Sequence, residues 1–240
     1  MRVSAFATML VLVACGPSLD PKLYPDPDSL LAASMAAFRE GDCGKARVGF
    51  QRLTFELPPR DPRHAEVRYY LAECMLDQNE ELEAARQFRR VADEFPRHRL
   101  APDALLRAAD AYGELWNDAE LDPTYGETAT ATYAELIGRF PASTAADRAR
   151  LRLQVLNEMF AEKDYKNGVY YLRFRAYDSA IIYFKDVIAK YPRSSYAPRS
   201  VVRLIRAYDR IGYDDERDEM CQYLRQFYPE ADGAGKECEG

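Results

Sequence analysis

Apolar residues recur along this chain at helical spacing. Leu30 to Arg39, Val67 to Leu76, Ala104 to Tyr112 and Ser200 to Tyr208 each place apolar side chains three or four positions apart. Alternation of period two is almost absent, so the pattern predicts an all-α protein. Breakers separate the helical runs. Gly41-Asp42, Asp77-Gln78-Asn79 and Gly212-Tyr213-Asp214 mark turns between paired helices. A second punctuation recurs five times: Phe55-Glu56-Leu57-Pro58, Glu94-Phe95-Pro96, Arg139-Phe140-Pro141, Lys190-Tyr191-Pro192 and Phe227-Tyr228-Pro229. The intervals between these prolines are 38, 45, 51 and 37 residues. Such periods indicate a solenoid of helix pairs.

The tetratricopeptide repeat, about 34 residues long with a proline after its second helix, gives a register to test. Twelve residues before each proline it requires a small side chain, where two helices cross closely. That position holds Ala46, Ala84, Ala129, Ala180 and, as the exception, Arg217. Eight residues before the proline it requires a large aromatic. The chain supplies Phe50, Phe88, Tyr133, Phe184 and, again as the exception, Cys221. The expectation is a superhelical solenoid of five tetratricopeptide helix pairs, about ten helices, over residues 28–229. Surplus length falls at Trp116 to Tyr125, read as a loop. More falls at Thr144 to Ala161, read as extra helix running into the first helix of repeat four, with 163–168 as the place for a kink. Residues 230–240 form a tail.

The N-terminus carries an address. Val3 to Val13 is an apolar run of about eleven residues, too short for the roughly 20 that span a bilayer. Leu12-Val13-Ala14-Cys15-Gly16 follows the layout of a bacterial lipoprotein signal. The thiol would take the lipid, and small neighbours would admit the peptidase. This predicts a signal peptide at 1–14 and a lipidated, proline-rich linker at 15–27, with covalent lipid on Cys15 and no other cofactor. Gly16, in place of Asp, permits sorting to the outer membrane.

Four further cysteines in an extracytoplasmic chain allow two disulfides. Cys43 begins the second helix of repeat one and Cys74 ends the first helix of repeat two, so those two are expected to pair. The tail is expected to bring Cys238 to Cys221. Their spacing matches no zinc pattern, and His64 and His98 stand alone, so no metal is expected. A net charge of −6 argues against nucleic acid as a partner. No nucleotide loop, hydrolase elbow or His-Glu metal motif is present, so no catalytic residues are assigned and a non-enzymatic role is expected. A helix-pair array offers a concave groove lined by its first helices. By register Met35, Phe38, Tyr69, Glu73, Leu106 and Asp110 point into it, with core packing or solvation as the alternative for each.

The segment from Asp164 to Tyr213, with Arg68-Tyr69-Tyr70-Leu71-Ala72 and the run from Tyr133 to Pro141, resembles the BamD family of tetratricopeptide lipoproteins. The resemblance extends from about Ser29 to Pro229. It implies a lipid-anchored outer-membrane protein facing the periplasm, acting as scaffold and receptor in β-barrel assembly. Its N-terminal repeats would recognise unfolded outer-membrane protein precursors. Its C-terminal repeats would dock on the barrel-forming (BamA-type) subunit, and other small lipoproteins of the complex could attach. Individual docking contacts are not carried over, because Ile181, Ile182 and Tyr183 make equivalence across that helix uncertain. Two other readings stand beside it: a periplasmic repeat adaptor coordinating envelope or cell-wall assembly, and an enzyme using the Trp116–Tyr125 loop.

Overall fold

The computed structural model describes residues 19–231 and residue 238. A single 3-10 turn at Pro21–Leu23 precedes ten α-helices. These are α1 (Pro27–Arg39), α2 (Cys43–Glu56), α3 (Arg63–Asp77), α4 (Glu81–Glu94), α5 (Ala101–Glu114), α6 (Thr124–Arg139), α7 (Thr144–Arg173), α8 (Tyr177–Lys190), α9 (Tyr196–Ile211) and α10 (Asp214–Phe227). No strand occurs among the described residues. Each helix packs on the next. The odd-numbered helices also touch their odd-numbered neighbours, and no comparable contact joins the even-numbered ones. The closer layer of a curved stack lies inside, so α1, α3, α5, α7 and α9 build the inner face.

Local chemistry sets the helix ends. Asp26, Asp42 and Ser143 accept hydrogen bonds from the backbone N–H groups of Ser29, Lys45 and Ala146, and so cap α1, α2 and α7. The turn within a pair needs a left-handed residue, which Gly41, Asn79, Arg175 and Gly212 provide. The turn between pairs follows a different rule. Phe95, Phe140, Tyr191 and Tyr228 each end a helix at φ between −136° and −129° and ψ between 53° and 56°. The following proline excludes the helical conformation at these residues, so the helix stops at the same place each time. Leu57, in the one unit without an aromatic there, adopts φ −69° and ψ 139° instead.

The core lies where the register predicts. Ala46, Ala84, Ala129 and Ala180 are fully buried, as are Phe50, Phe88 and Phe184, and Tyr133 is nearly so. Burial of each ring contributes on the order of 2–3 kcal/mol. The last unit departs from this pattern. Arg217 stays at the surface and pairs with Asp214 and Asp218. Cys221 fills the aromatic slot by bonding to Cys238, which closes the end of the stack over Val201, Ile205 and Leu224.

The surplus lengths have structural work. The segment from Leu115 to Pro123 is no plain loop, because Trp116 within it is fully buried and packs against Phe160 at 4.3 Å between ring centroids. Asp118 and Asp122 accept from the backbone N–H groups two residues on, which fixes tight turns. Helix α7 runs 30 residues without a break. Its first half joins Trp116, Tyr133 and Leu136 in one core, and its second half joins Phe184 and Tyr208 in the next. Gly168 makes the second contact possible, since a Cβ there would lie 2.6 Å from the Phe184 ring.

Gly168→Ala should destabilise the protein by about 1–3 kcal/mol in urea unfolding, although alanine gains up to ~1 kcal/mol in helix propensity. Adding Phe184→Leu should give a loss smaller than the sum of the two single losses. Asp61 accepts two side-chain bonds from Arg63, at 3.0 and 2.6 Å, and one from the Arg63 backbone N–H. Those bonds hold its carboxyl down from 3.8 to about 2. The folded form is therefore favoured above the ordinary carboxylate range, and this contribution disappears as pH falls from about 4 towards 2. Asp61→Asn should flatten the stability–pH curve in that window and lower its plateau near neutrality, so that the two proteins converge as pH falls towards 2.

Candidate functional site on the inner face

The inner face of α3, α5 and α7 carries a connected set of charges. Helix α5 turns Asp103, Arg107, Asp110 and Glu114 along one stripe at steps of three and four, while its alanines and leucines face the core. Arg107 donates to both oxygens of Glu73 on α3, at 2.8 and 2.7 Å. Its guanidinium also stands 3.9 Å from Asp110 and 5.9 Å from the centre of the Phe88 ring. From the other side, Arg152 on α7 reaches Asp110 at 3.5 Å, and Arg148 reaches Asp103 at 3.5 Å. The Tyr133 hydroxyl donates to Asp110 at 2.5 Å.

Arg107, Asp110, Tyr133 and Arg152 border a recess of about 240 Å³, together with Glu114, Trp116 and Val155. Its electrostatics follow from burial and pairing. Burial pushes the Glu114 carboxyl up. The side-chain bond to Glu73 holds the Arg107 guanidinium firmly charged. Burial, then the bond to Asp110, pushes the Tyr133 phenol up, and burial does the same to Tyr69. Leu151 and Val155 form an exposed apolar stripe on α7 beside the two arginines. The surface can therefore take up carboxylates, amides and apolar side chains of an extended segment. No histidine, cysteine or serine lines the recess, and no group of three His, Cys, Asp or Glu able to hold a metal occurs among the described residues.

The expected groove residues divide three ways. Glu73 and Asp110 are members of the charged network. Met35, Phe38 and Tyr69 are half-buried against the first core: Phe38 meets Tyr70 at 5.0 Å and Tyr69 meets Phe88 at 5.2 Å. Leu106 does not line the groove. It is 1% exposed and packs with Leu105, Trp116 and Tyr133. One helical position, about 100° of rotation, separates it from Arg107, which does face inward. Arg107, Glu114 and Arg152 are the groove residues the register reading missed; the charged stripe on an otherwise alanine- and leucine-rich α5 was the signal for the first two.

The cysteines also divide. Cys221 and Cys238 are bonded. Cys43 and Cys74, expected to pair, are buried thiols here that share a hydrogen bond, and burial raises both. The α2–α3 contact brings them together without a bond between them. Cys15 and the signal and lipid features lie outside the described residues. No helix among the described residues is long and apolar enough to cross a membrane.

Fold and inner face together define a helix-pair repeat protein with a charged recess on its inner layer. A family profile described as "YfiO: Outer membrane lipoprotein" matches residues 25–223, and the chain belongs to that family. It is 31% identical over 51% of its length to "Outer membrane protein assembly factor BamD" of Caulobacter vibrioides, covering 40% of that protein. It is 25% identical over 50% of its length to the protein of the same name from Rickettsia prowazekii, covering 47% of it. The matched segments thus span less than half of these curated relatives. Among solved structures, the TPR domain of P58(IPK) is similar at 17% identity, over 88% of this chain and 54% of that one, with a TM-score of 0.47.

With Cys43 and Cys74 reduced, alkylation of the unreduced, unfolded protein should label these two and spare Cys221 and Cys238, as peptide mass mapping would show. In the folded protein, burial and the raised thiols should slow that labelling by about tenfold or more.

Proposed function

We propose that this chain is an outer-membrane lipoprotein scaffold of the β-barrel assembly machinery. It is anchored by lipid on Cys15 and faces the periplasm. Its groove receives unfolded outer-membrane protein precursors, and its C-terminal repeats dock on the barrel-forming subunit. The observation that carries this reading is the family match over residues 25–223, joined to relatives named as outer membrane protein assembly factors. The inner face supports it physically. An unfolded precursor presents free backbone groups and alternating polar and apolar side chains, and the recess offers fixed charges beside the Leu151–Val155 stripe. Exposed Tyr170, Phe174 and Ile182 at the fourth repeat supply apolar area of the kind a stable docking surface uses. The protein works by binding and carries out no catalysis of its own.

A photo-reactive residue at Val155 should form adducts with an unfolded barrel precursor, and one at Phe174 with the barrel subunit. Arg107→Glu with Arg152→Glu should lower the first adduct about tenfold or more, for the loss of one or two charge-assisted contacts. Isolation of cell-wall enzymes in place of a barrel subunit from detergent-solubilised membranes would overturn the assignment.

A further inference from the structure

The helices alternate in direction, so the start of α1, the end of α2, the start of α3 and the end of α4 meet at one end of the first two repeats. Contacts tie them there. Arg63 at the start of α3 donates to Asp28 at the start of α1, at 2.6 Å. Phe55, Arg60, His64 and Phe95 border one cleft. The 3-10 turn at Pro21–Leu23 packs on α2.

This end carries two apolar side chains that nothing among the described residues covers. Phe55 is 84% exposed and Leu23 is 76% exposed, the two largest such exposures in the described chain. It also carries Lys22, Arg60 and Arg97, all exposed and none with an ion-pair partner among the described residues. The carboxylates nearby are engaged: Asp28 and Asp61 with Arg63, Glu56 with Arg52, Glu66 with Arg99 and Glu94 with Arg68. Asp20 and Asp26 accept backbone N–H groups at the helix starts. Lys22, Arg60 and Arg97 are thus the basic groups at this end left without a carboxylate partner among the described residues.

The proposed anchor fixes what lies opposite. Cys15 precedes Leu19, where the described chain begins, by four residues. Four residues reach at most about 14 Å even when fully extended. We infer that the Leu23–Phe55 end, with Lys22, Arg60 and Arg97 around it, rests on an anionic phospholipid surface and seats Phe55 at the boundary of headgroups and acyl chains. The inference rests on the lipid anchor of the proposed function and adds an orientation to it. A side chain placed this way enters about 5–10 Å, and cations beside it meet lipid phosphates.

The test uses the full lipidated protein reconstituted in vesicles of brominated phosphatidylcholine and phosphatidylglycerol. Phe55→Trp, Leu23→Trp and, as a distant exposed control, Ile182→Trp are compared by tryptophan quenching. Trp116 is buried in all of them and gives a constant background. Quenching at 55 and 23 should exceed that at 182 by about twofold or more, the expected consequence of entry into the acyl boundary. Arg60→Glu with Arg97→Glu should lower it at 55. Protein that floats with the vesicles but is quenched no more at 55 than at 182 would overturn the orientation and leave the anchor standing. Unchanged quenching in the charge-reversed variant would overturn the role of the cations. Protein that fails to float would overturn the anchor, and the orientation with it.

Discussion

A pair of helices of about fourteen residues has two faces to bury and only one partner within the pair. The close crossing at Ala46, Ala84, Ala129 and Ala180 addresses the first face, because nothing larger than a methyl group fits there. The aromatic four residues later addresses the second, by reaching across to the next pair. Phe50 meets Tyr70 on α3 at 6.2 Å between ring centroids, and Phe184 shares a core with Leu204 and Tyr208 of α9, so each ring belongs to two pairs at once. Everything else follows from that coupling. A pair without a neighbour would leave an aromatic in water, so the array is stable only as a stack.

The two ends and the middle are where this logic must be broken and repaired. In the last described pair the aromatic is missing from its position. The chain places Cys221 there and folds its own tail over it through Cys238. At the N-terminal end, Leu19 and Tyr24 pack on the first core before α1 begins. In the middle, α7 replaces two shorter elements and shares its sides between two cores. Trp116 fills the space that the third turn leaves, against Phe160 on that same helix. The departures from the repeat are therefore places where one packing problem is solved by a different element.

The sequence carried the repeat because packing at a crossing depends on side-chain size, and size is written in the residue type. The prolines carried the boundaries because they act on the residue directly before them. The inner face was harder to read. Leu106 and Arg107 differ by one position, and a register inferred from apolar spacing does not say which of two neighbours a helix rotation turns inward. Trp116 was read as part of a loop for a related reason. Its burial depends on Phe160, 44 residues away, and no local pattern contains that contact. The Cys43–Cys74 expectation came close for the opposite reason: stacking brings the thiols together, but whether they are bonded depends on oxidation, which stacking does not set.

The charge arrangement of the inner face bears on how a groove can hold many different segments. Arg107 is already satisfied by Glu73, and Asp110 by Tyr133 and Arg152. An incoming carboxylate or cation must exchange with these internal partners, so the net gain per contact is smaller than it would be for bare charges. The exchange also limits the cost of an empty groove, since no buried charge stands unpaired when a segment leaves. Apolar contact along Leu151 and Val155 carries no such exchange and adds to binding directly. A surface built this way discriminates by pattern and releases readily.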